Sequence, residues 1–184
     1  MIRAVISDLD GTLVDTAAAN TAAYADAFGS VGLDFDEAVY RSAFGLRFDE
    51  MIRRVAPQAS TGQADAVRAA KAERYPAHFG LLRPNDALIA LLSTLRDSGV
   101  RVALASTAAR RNVTAVLAGI GAQDLFEVVV AGEDVERGKP APDCYLRAAD
   151  LLDVAPSDCL AVEDSAVGLA AARAAGCRVL EVVL

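Results

Sequence analysis

Residues 3–15 read RAVISDLDGTLVD, an apolar run that leads directly into two aspartates spaced two residues apart. Residues 3–7 have the length and the apolar character of a buried strand. In an open parallel sheet, functional groups lie beyond the carboxyl ends of the strands. Asp8 and Asp10 are therefore predicted to lie at an edge of a sheet where a reaction takes place.

Strand and helix patterns alternate in the second half of the chain. Four further apolar runs resemble buried strands, at residues 101–105, 127–131, 159–162 and 178–183. Helical patterns lie around them, at residues 87–98, 113–120, 142–152 and 167–175. This alternation is typical of βαβ units. We therefore expect an α/β fold with a parallel five-stranded sheet and helices on both of its faces.

The stretch between the first two predicted strands is too long for a loop. It contains four helical patterns with turn-forming residues between them, at residues 17–31, 36–43, 48–55 and 63–78. We predict a core domain formed by residues 1–15 and 84–184. Residues 16–83 are predicted to form a helical cap domain, inserted after the first strand.

Charge and composition exclude several classes of partner. The 184 residues carry a net charge of -7 and no long run of Lys or Arg, so we expect neither nucleic acid nor a membrane as partner. No apolar stretch reaches membrane-spanning length, and the first residues do not resemble a signal peptide. The three cysteines lack C-x-x-C spacing, which predicts reduced thiols and a cytoplasmic location. Monomer and homodimer both stay open.

Polar residues also follow the second, third and fourth predicted strands. Because the carboxyl ends of parallel strands meet at one edge of a sheet, these residues are expected to converge with the two aspartates. The group consists of Ser106, Thr107, Lys139, Glu163 and Asp164.

The carboxylates in this group predict a metal site. Asp8, Asp10 and Asp164 would repel one another without a cation between them. Oxygen ligands without His or Cys favour Mg²⁺, which prefers few carboxylates together with waters and substrate phosphate. With Mg²⁺ bound, one aspartate can attack a phosphorus atom and form an aspartyl-phosphate, while the second serves as general acid and base.

Hydrogen-bond donors for the phosphoryl oxygens come from the same loops. Lys139, the Ser106 hydroxyl and nearby backbone N–H groups can stabilise the negative charge that develops there. Glu163 is predicted to orient Lys139 or a metal-bound water. The substrate-binding residues predicted in the core are Ser106, Thr107, Lys139, Gly11 and Thr12.

Four segments together resemble the ordered motifs of the haloacid dehalogenase (HAD) superfamily, in its phosphoglycolate phosphatase and β-phosphoglucomutase branch. They are residues 8–15 (DLDGTLVD), 103–106 (ALAS), 138–143 (GKPAPD) and 162–168 (VEDSAVG). The resemblance implies a Rossmann-like core, Asp8 as nucleophile and Asp10 as general acid and base. It further implies phosphate binding by Ser106 and Lys139, and Mg²⁺ held by the Asp8 carboxylate, the Asp10 backbone carbonyl and Asp164.

The second aspartate separates this chain from two other activities of the superfamily. Dehalogenases lack an acid equivalent to Asp10, and phosphonoacetaldehyde hydrolases replace it and use a cap lysine as a Schiff base. Lys71 is the only lysine in the predicted cap, and we interpret it as a solvated charge on a helix face. A Mg²⁺-dependent phosphatase that acts on a small phosphorylated metabolite is the leading hypothesis.

A sugar phosphomutase is the main alternative. Phosphomutases of this branch commonly carry a His in the first cap helix, where this chain has Asn20, and this difference favours simple hydrolysis. A non-enzymatic phosphoacceptor domain is a third hypothesis. It would need neither Asp10 as acid and base nor a helical cap.

Substrate selection is expected to come from the cap, because the core binds only the phosphoryl group that all substrates share. Residues 44–48 read FGLRF and precede a helical pattern. Arg47 is a candidate to meet a carboxylate or a second phosphate of the substrate. An exposed Arg at the start of a helix is the simpler explanation, and both stay open.

Overall fold

The computed structural model describes residues 1–44 and 46–184; Gly45, which we assigned to the predicted cap loop, lies outside them. The chain divides into two compact units. Met1–Asp15 and Arg83–Leu184 form the first unit, here called the core, and Thr16–Leu82 form the second, here called the helical unit.

The core contains a five-stranded sheet in which every pairing is parallel. Its central strand is β1 (Ala4–Ser7), which is buried along its whole length. The flanking strands are β4 (Arg101–Ala105) and β6 (Cys159–Glu163), and the outer strands are β5 (Val128–Val130) and β7 (Arg178–Glu181). The predicted parallel five-stranded α/β fold is confirmed.

Helices cover both faces of this sheet. They are α5 (Asp86–Asp97), α6 (Arg110–Gly119), α7 (Asp143–Leu151) and α8 (Ala166–Ala174). Ile6 packs in one apolar cluster with Tyr145 of α7 and Ala171 of α8. Side chains alternate between faces along a strand, so Val5 points to the opposite face. Helix α5 contacts β4 outside that cluster and contributes the buried Leu92.

A short antiparallel ribbon lies where the chain leaves the core and where it returns. In this ribbon β2 (Val14–Asp15) pairs with β3 (Arg83–Pro84). Asn85 fixes the return point, because its side-chain amide donates to the Thr12 carbonyl while its Oδ1 accepts from the N–H of Leu88 in α5. We did not predict this ribbon, since two-residue strands leave no periodic pattern in a sequence.

The helical unit contains four α-helices: α1 (Ala17–Ser30), α2 (Glu37–Ser42), α3 (Phe48–Val55) and α4 (Thr61–Arg74). Helix α4 starts at a capping box formed by Ser60 and Gln63, and a 3-10 helix, Tyr75–Leu81, follows it. Within the described part of this unit there is no strand. Across residues 1–44 and 46–184, no helix has both the length and the apolar character needed to cross a bilayer.

Lys71 is buried, contrary to the solvated position that we predicted for it. Helix α4 packs on α1, and Lys71 lies one turn beyond the fully buried Val67 on the same face. Its Nζ lies 3.5 Å from the centroid of the Tyr75 ring and 5.4 Å from that of the Tyr24 ring. Attraction between the ammonium and the aromatic faces offsets part of the cost of burying the charge.

Candidate active site

Lys139 joins three strand ends at the carboxyl edge of the sheet. Its Nζ lies 2.5 Å from Oδ1 of Asp8, 2.5 Å from Oε1 of Glu163 and 3.1 Å from the carbonyl oxygen of Ala105. Only 5% of the Lys139 side chain is exposed. Because an ammonium group has three N–H donors, these three acceptors use all of them.

Two effects set the pKa values of Asp8 and Glu163, namely burial and the positive charge of Lys139. Burial raises the pKa of Asp8 to about 7, with Lys139 acting in the opposite direction. Burial also acts to raise the pKa of Glu163, but the Lys139 ammonium and further hydrogen bonds hold it below its ordinary value. Of these two carboxyl groups, Glu163 therefore keeps its negative charge to a lower pH than Asp8 does.

Glu163 ends β6 and has no exposed surface. Its Oε1 also accepts from the Tyr145 hydroxyl at 3.0 Å, and its Oε2 accepts from the N–H of Asp164 and from both the N–H and the hydroxyl of Ser165. Glu163 thus contacts Lys139, one of the two partners predicted for it.

Gly11 and Thr12 both lie against Asp164. The Thr12 hydroxyl donates to Asp164 Oδ1 at 2.8 Å. Gly11 has a φ of 92°, and a Cβ there would lie 2.3 Å from Asp164 Oδ2, so only glycine allows this approach. The N–H of Gly11 donates to the carbonyl of Val14. These groups are used within the protein, and their predicted contact with substrate stays a prediction.

Carboxylate oxygens of Asp8, Glu163 and Asp164 lie within 4.8 Å of one another. Both oxygens of Glu163 are already engaged by donors, so Asp8 and Asp164 are the carboxylates suited to a metal ion. Burial raises the pKa of Asp164, while the hydrogen bond from Thr12 acts in the opposite direction. Asp10 is half-buried, and its carboxylate is not part of this cluster. Two carboxylates that offer only oxygen ligands fit Mg²⁺, and the predicted part of the Asp10 carbonyl in this site stays a prediction.

Ser106 and Thr107 follow β4 at the same edge. Ser106 is buried, and its Oγ accepts from the N–H of Ala108 at 3.0 Å. Thr107 is half-buried, and its carbonyl lies so close to Gly132 that a Cβ there would approach it to 2.5 Å. The loops after β4 and β5 are thus packed together beside Asp8's strand.

Residues 2–176 match the family of haloacid dehalogenase-like hydrolases. The chain belongs to this family. The predicted superfamily and the predicted hydrolase class are both confirmed.

Individual relatives of this haloacid dehalogenase-like hydrolase cover nearly all of the chain. Protein CbbY of Rhodobacter capsulatus is 38% identical, over 97% of this chain and 84% of its own length. β-Phosphoglucomutase of Bacillus subtilis is 29% identical, over 95% and 80%. The crystal structure of a CbbY mutant from Rhodobacter sphaeroides, in complex with xylulose-(1,5)bisphosphate, is 33% identical with a TM-score of 0.86, covering 97% of this chain and 85% of that one.

Tyr145 gave no signal of a site role in the sequence, because a Tyr at helical spacing is typical of an apolar core. Gly168 ends the fourth motif of the family resemblance, but its close approach to Glu163 was not predicted. In the structure a Cβ on Gly168 would lie 1.7 Å from Glu163 Oε1. Among the predicted cap residues, Arg47 is exposed directly before α3, and Asn20 is buried in α1.

Proposed function

We propose that this haloacid dehalogenase-like hydrolase is a Mg²⁺-dependent phosphatase that transfers the phosphoryl group of a small metabolite to Asp8 and then to water. The observation that carries the proposal is the buried contact between Asp8 and Lys139, at the sheet edge where Asp164 also lies. A carboxylate held by a buried cation, beside a second carboxylate, is suited to approach a phosphate ester.

Asp8 attacks phosphorus, and the bond from phosphorus to the leaving oxygen breaks. Asp10 donates a proton to that oxygen and then accepts one from the water that attacks the aspartyl-phosphate, which frees Asp8. When held by the Asp8 and Asp164 carboxylates and the Asp10 carbonyl, Mg²⁺ supplies positive charge between the nucleophile and the phosphate oxygens. Thr12 keeps Asp164 in place through its hydroxyl.

Lys139 first acts as an orienting group. All three of its donors are engaged, so it holds Asp8 Oδ1 and can bind a phosphoryl oxygen only by exchanging one acceptor. As Asp8 forms its bond to phosphorus, its negative charge moves to the phosphoryl group. The N–H of Lys139 that faced Asp8 can follow this charge, and Ser106 and Thr107 supply further polar groups at the same edge.

We propose a small sugar phosphate with a second anionic group as the substrate, recognised by Arg47. A structural relative of this chain was crystallised with xylulose-(1,5)bisphosphate, which carries two phosphates. A guanidinium binds phosphate or carboxylate through two parallel N–H donors. Phosphoryl transfer between sugar hydroxyls is the second candidate, because β-phosphoglucomutase is also a relative. Asn20 favours water as the acceptor, since an amide cannot act as an acid or a base at neutral pH.

A phosphatase screen over small phosphorylated metabolites with Mg²⁺, run beside Asp8→Asn, tests the proposal. We expect hydrolysis by the wild type and a loss of at least about a thousandfold in Asp8→Asn, with the fold retained. A wild type that hydrolyses no ester, aryl phosphates included, contradicts the function. Retained activity in Asp8→Asn contradicts the nucleophile. Isomerised sugar phosphate as the product would indicate the mutase.

The role of Arg47 needs a matched control, which Arg53 of the adjoining helix α3 provides because it is also exposed. Arg47→Ala should raise KM for a bisphosphate by about tenfold or more and leave aryl phosphate hydrolysis unchanged. Arg53→Ala should change neither. Equal effects of the two substitutions would remove Arg47 from substrate recognition.

A further inference from the structure

Lys139 and Glu163 form a buried ion pair. Among residues 1–44 and 46–184, Tyr145 is the one uncharged residue whose side chain contacts both members of this pair. Its hydroxyl donates to Glu163 Oε1 at 3.0 Å, and its ring centroid lies 5.0 Å from Lys139 Nζ. It is fully buried in α7. Tyr145 has no role in the reaction proposed above.

The geometry assigns Tyr145 as a positioning residue that fixes Lys139 through Glu163, and this assignment rests on the proposed function. Oε1 of Glu163 receives two donors, the Lys139 ammonium and the Tyr145 hydroxyl. The hydroxyl fixes where Oε1 lies, because α7 holds the tyrosine ring in the core. Oε1 in turn fixes the lysine that orients Asp8 Oδ1.

The other supports of Glu163 do not replace this contact. The remaining donors to Glu163, from Asp164 and Ser165, all meet Oε2, so Oε1 is held by the Tyr145 hydroxyl and by Lys139 itself. Without the hydroxyl, Lys139 would be the one donor to Oε1 among the described residues, and a small rotation of the carboxylate would change the direction in which it holds the ammonium. The expected effect is on the alignment of Asp8, and therefore on kcat more than on KM.

Tyr145→Phe removes the hydroxyl and retains the ring. We expect kcat for an aryl phosphate to fall by about tenfold or more, the usual scale for a lost hydrogen bond to a charged group, with KM within about twofold. Ala148→Gly is the matched control, since Ala148 is buried in the same helix and glycine weakens a helix by about 1 kcal/mol. Its kcat should match the wild type.

A double-mutant comparison separates positioning from general loosening. If Tyr145 acts through Glu163, Tyr145→Phe should lower kcat less in a Glu163→Gln background than in the wild type, because the uncharged amide oxygen binds both donors more weakly. Fully additive losses in the double mutant would overturn the assignment. So would a Tyr145→Phe enzyme whose kcat lies within twofold of the wild type.

A second readout does not depend on catalysis. The chain has two lysines, Lys71 and Lys139, so ¹⁵N-lysine NMR gives a simple spectrum that Lys71→Arg assigns. The buried Lys139 ammonium should give a protected resonance that shifts or broadens in Tyr145→Phe but not in Ala148→Gly. An unchanged resonance in Tyr145→Phe overturns the inference. If the wild type has no phosphatase activity, the proposed function is overturned. The NMR result still tests separately whether Tyr145 positions Lys139.

Discussion

Gly168→Ala is expected to destabilise the protein although alanine is the better helix former. Gly168 lies in α8, and helix propensity alone predicts a gain of about 1 kcal/mol on replacement by alanine. The structure predicts the opposite sign. A Cβ at this position would lie 1.7 Å from Glu163 Oε1 and 2.0 Å from its carboxyl carbon, whereas real Cβ contacts are essentially never under 3.0 Å.

The magnitude follows from what Glu163 would lose. To make room for the Cβ, the Glu163 carboxylate must move by more than 1 Å. Glu163 is completely buried, so this movement displaces its neighbours. Such a shift breaks its contacts with Lys139 and Tyr145, each a hydrogen bond to a charged group worth about 1.5–3 kcal/mol. After the gain in helix propensity, we expect a net loss of about 3 kcal/mol, or a fall in Tm of about 6–12 °C.

Thermal unfolding followed by circular dichroism measures this loss, and phosphatase activity should fall with it. Gly29→Ala is the control, because Gly29 is an exposed residue of α1 and a Cβ there meets nothing within 4 Å. That variant should be as stable as the wild type, or more stable by up to about 1 kcal/mol. A Gly168→Ala protein with a Tm at or above the wild-type value would refute the reasoning.

Three further predictions concern single groups of the site and core. Thr12→Val removes the donor that orients Asp164, so calorimetry should show Mg²⁺ binding weakened by about tenfold; a Kd within twofold of wild type would contradict this. In EDTA, Asp8 in the folded protein has a pKa of about 7, whereas in the unfolded chain its pKa is near 3.8. Between these values the folded state binds more protons, so Asp8 should lower the free energy of unfolding as the pH rises, by at most about 1.4 kcal/mol per pH unit. Urea unfolding should show a stability that falls more steeply, or rises less steeply, with pH in the wild type than in Asp8→Asn, and equal slopes in the two proteins would disprove it. Burial raises the pKa of the Cys144 thiol to about 11, so mass spectrometry should find it unmodified by iodoacetamide at pH 8 in the native protein and modified after unfolding; equal modification in both states would count against it.

The fold could be predicted largely because it depends on local patterns. Apolar runs of strand length and helical periodicity located the five strands of the parallel sheet, and the eight α-helices of residues 1–44 and 46–184, to within a few residues. Helix α3 matches its predicted bounds, Phe48–Val55. The polar residues after the strands could be predicted for the same reason, since parallel strands place their ends at one edge. The contact between Lys139 and Asp8 is a consequence of that edge.

The remaining features depend on packing between segments that are distant in the sequence. Lys71 is buried because α1 packs against the face of α4 on which it lies. The hydroxyl of Thr12 could face substrate or protein, and Asp164, distant in sequence, decides that it faces protein. Tyr145 has the same apolar periodicity whether or not an acceptor lies at its hydroxyl. None of these contacts changes the local pattern, so none could be predicted from it.

The ribbon of β2 and β3 brings the two ends of the helical unit side by side, with Asp15 opposite Arg83. Chain continuity in the core therefore requires only a tight turn at this point, of the kind that joins any two antiparallel strands. For protein engineering, we therefore expect residues 16–82 to be exchangeable for a short turn or for the corresponding segment of a relative. The parallel strands of the core should keep their register in such a variant.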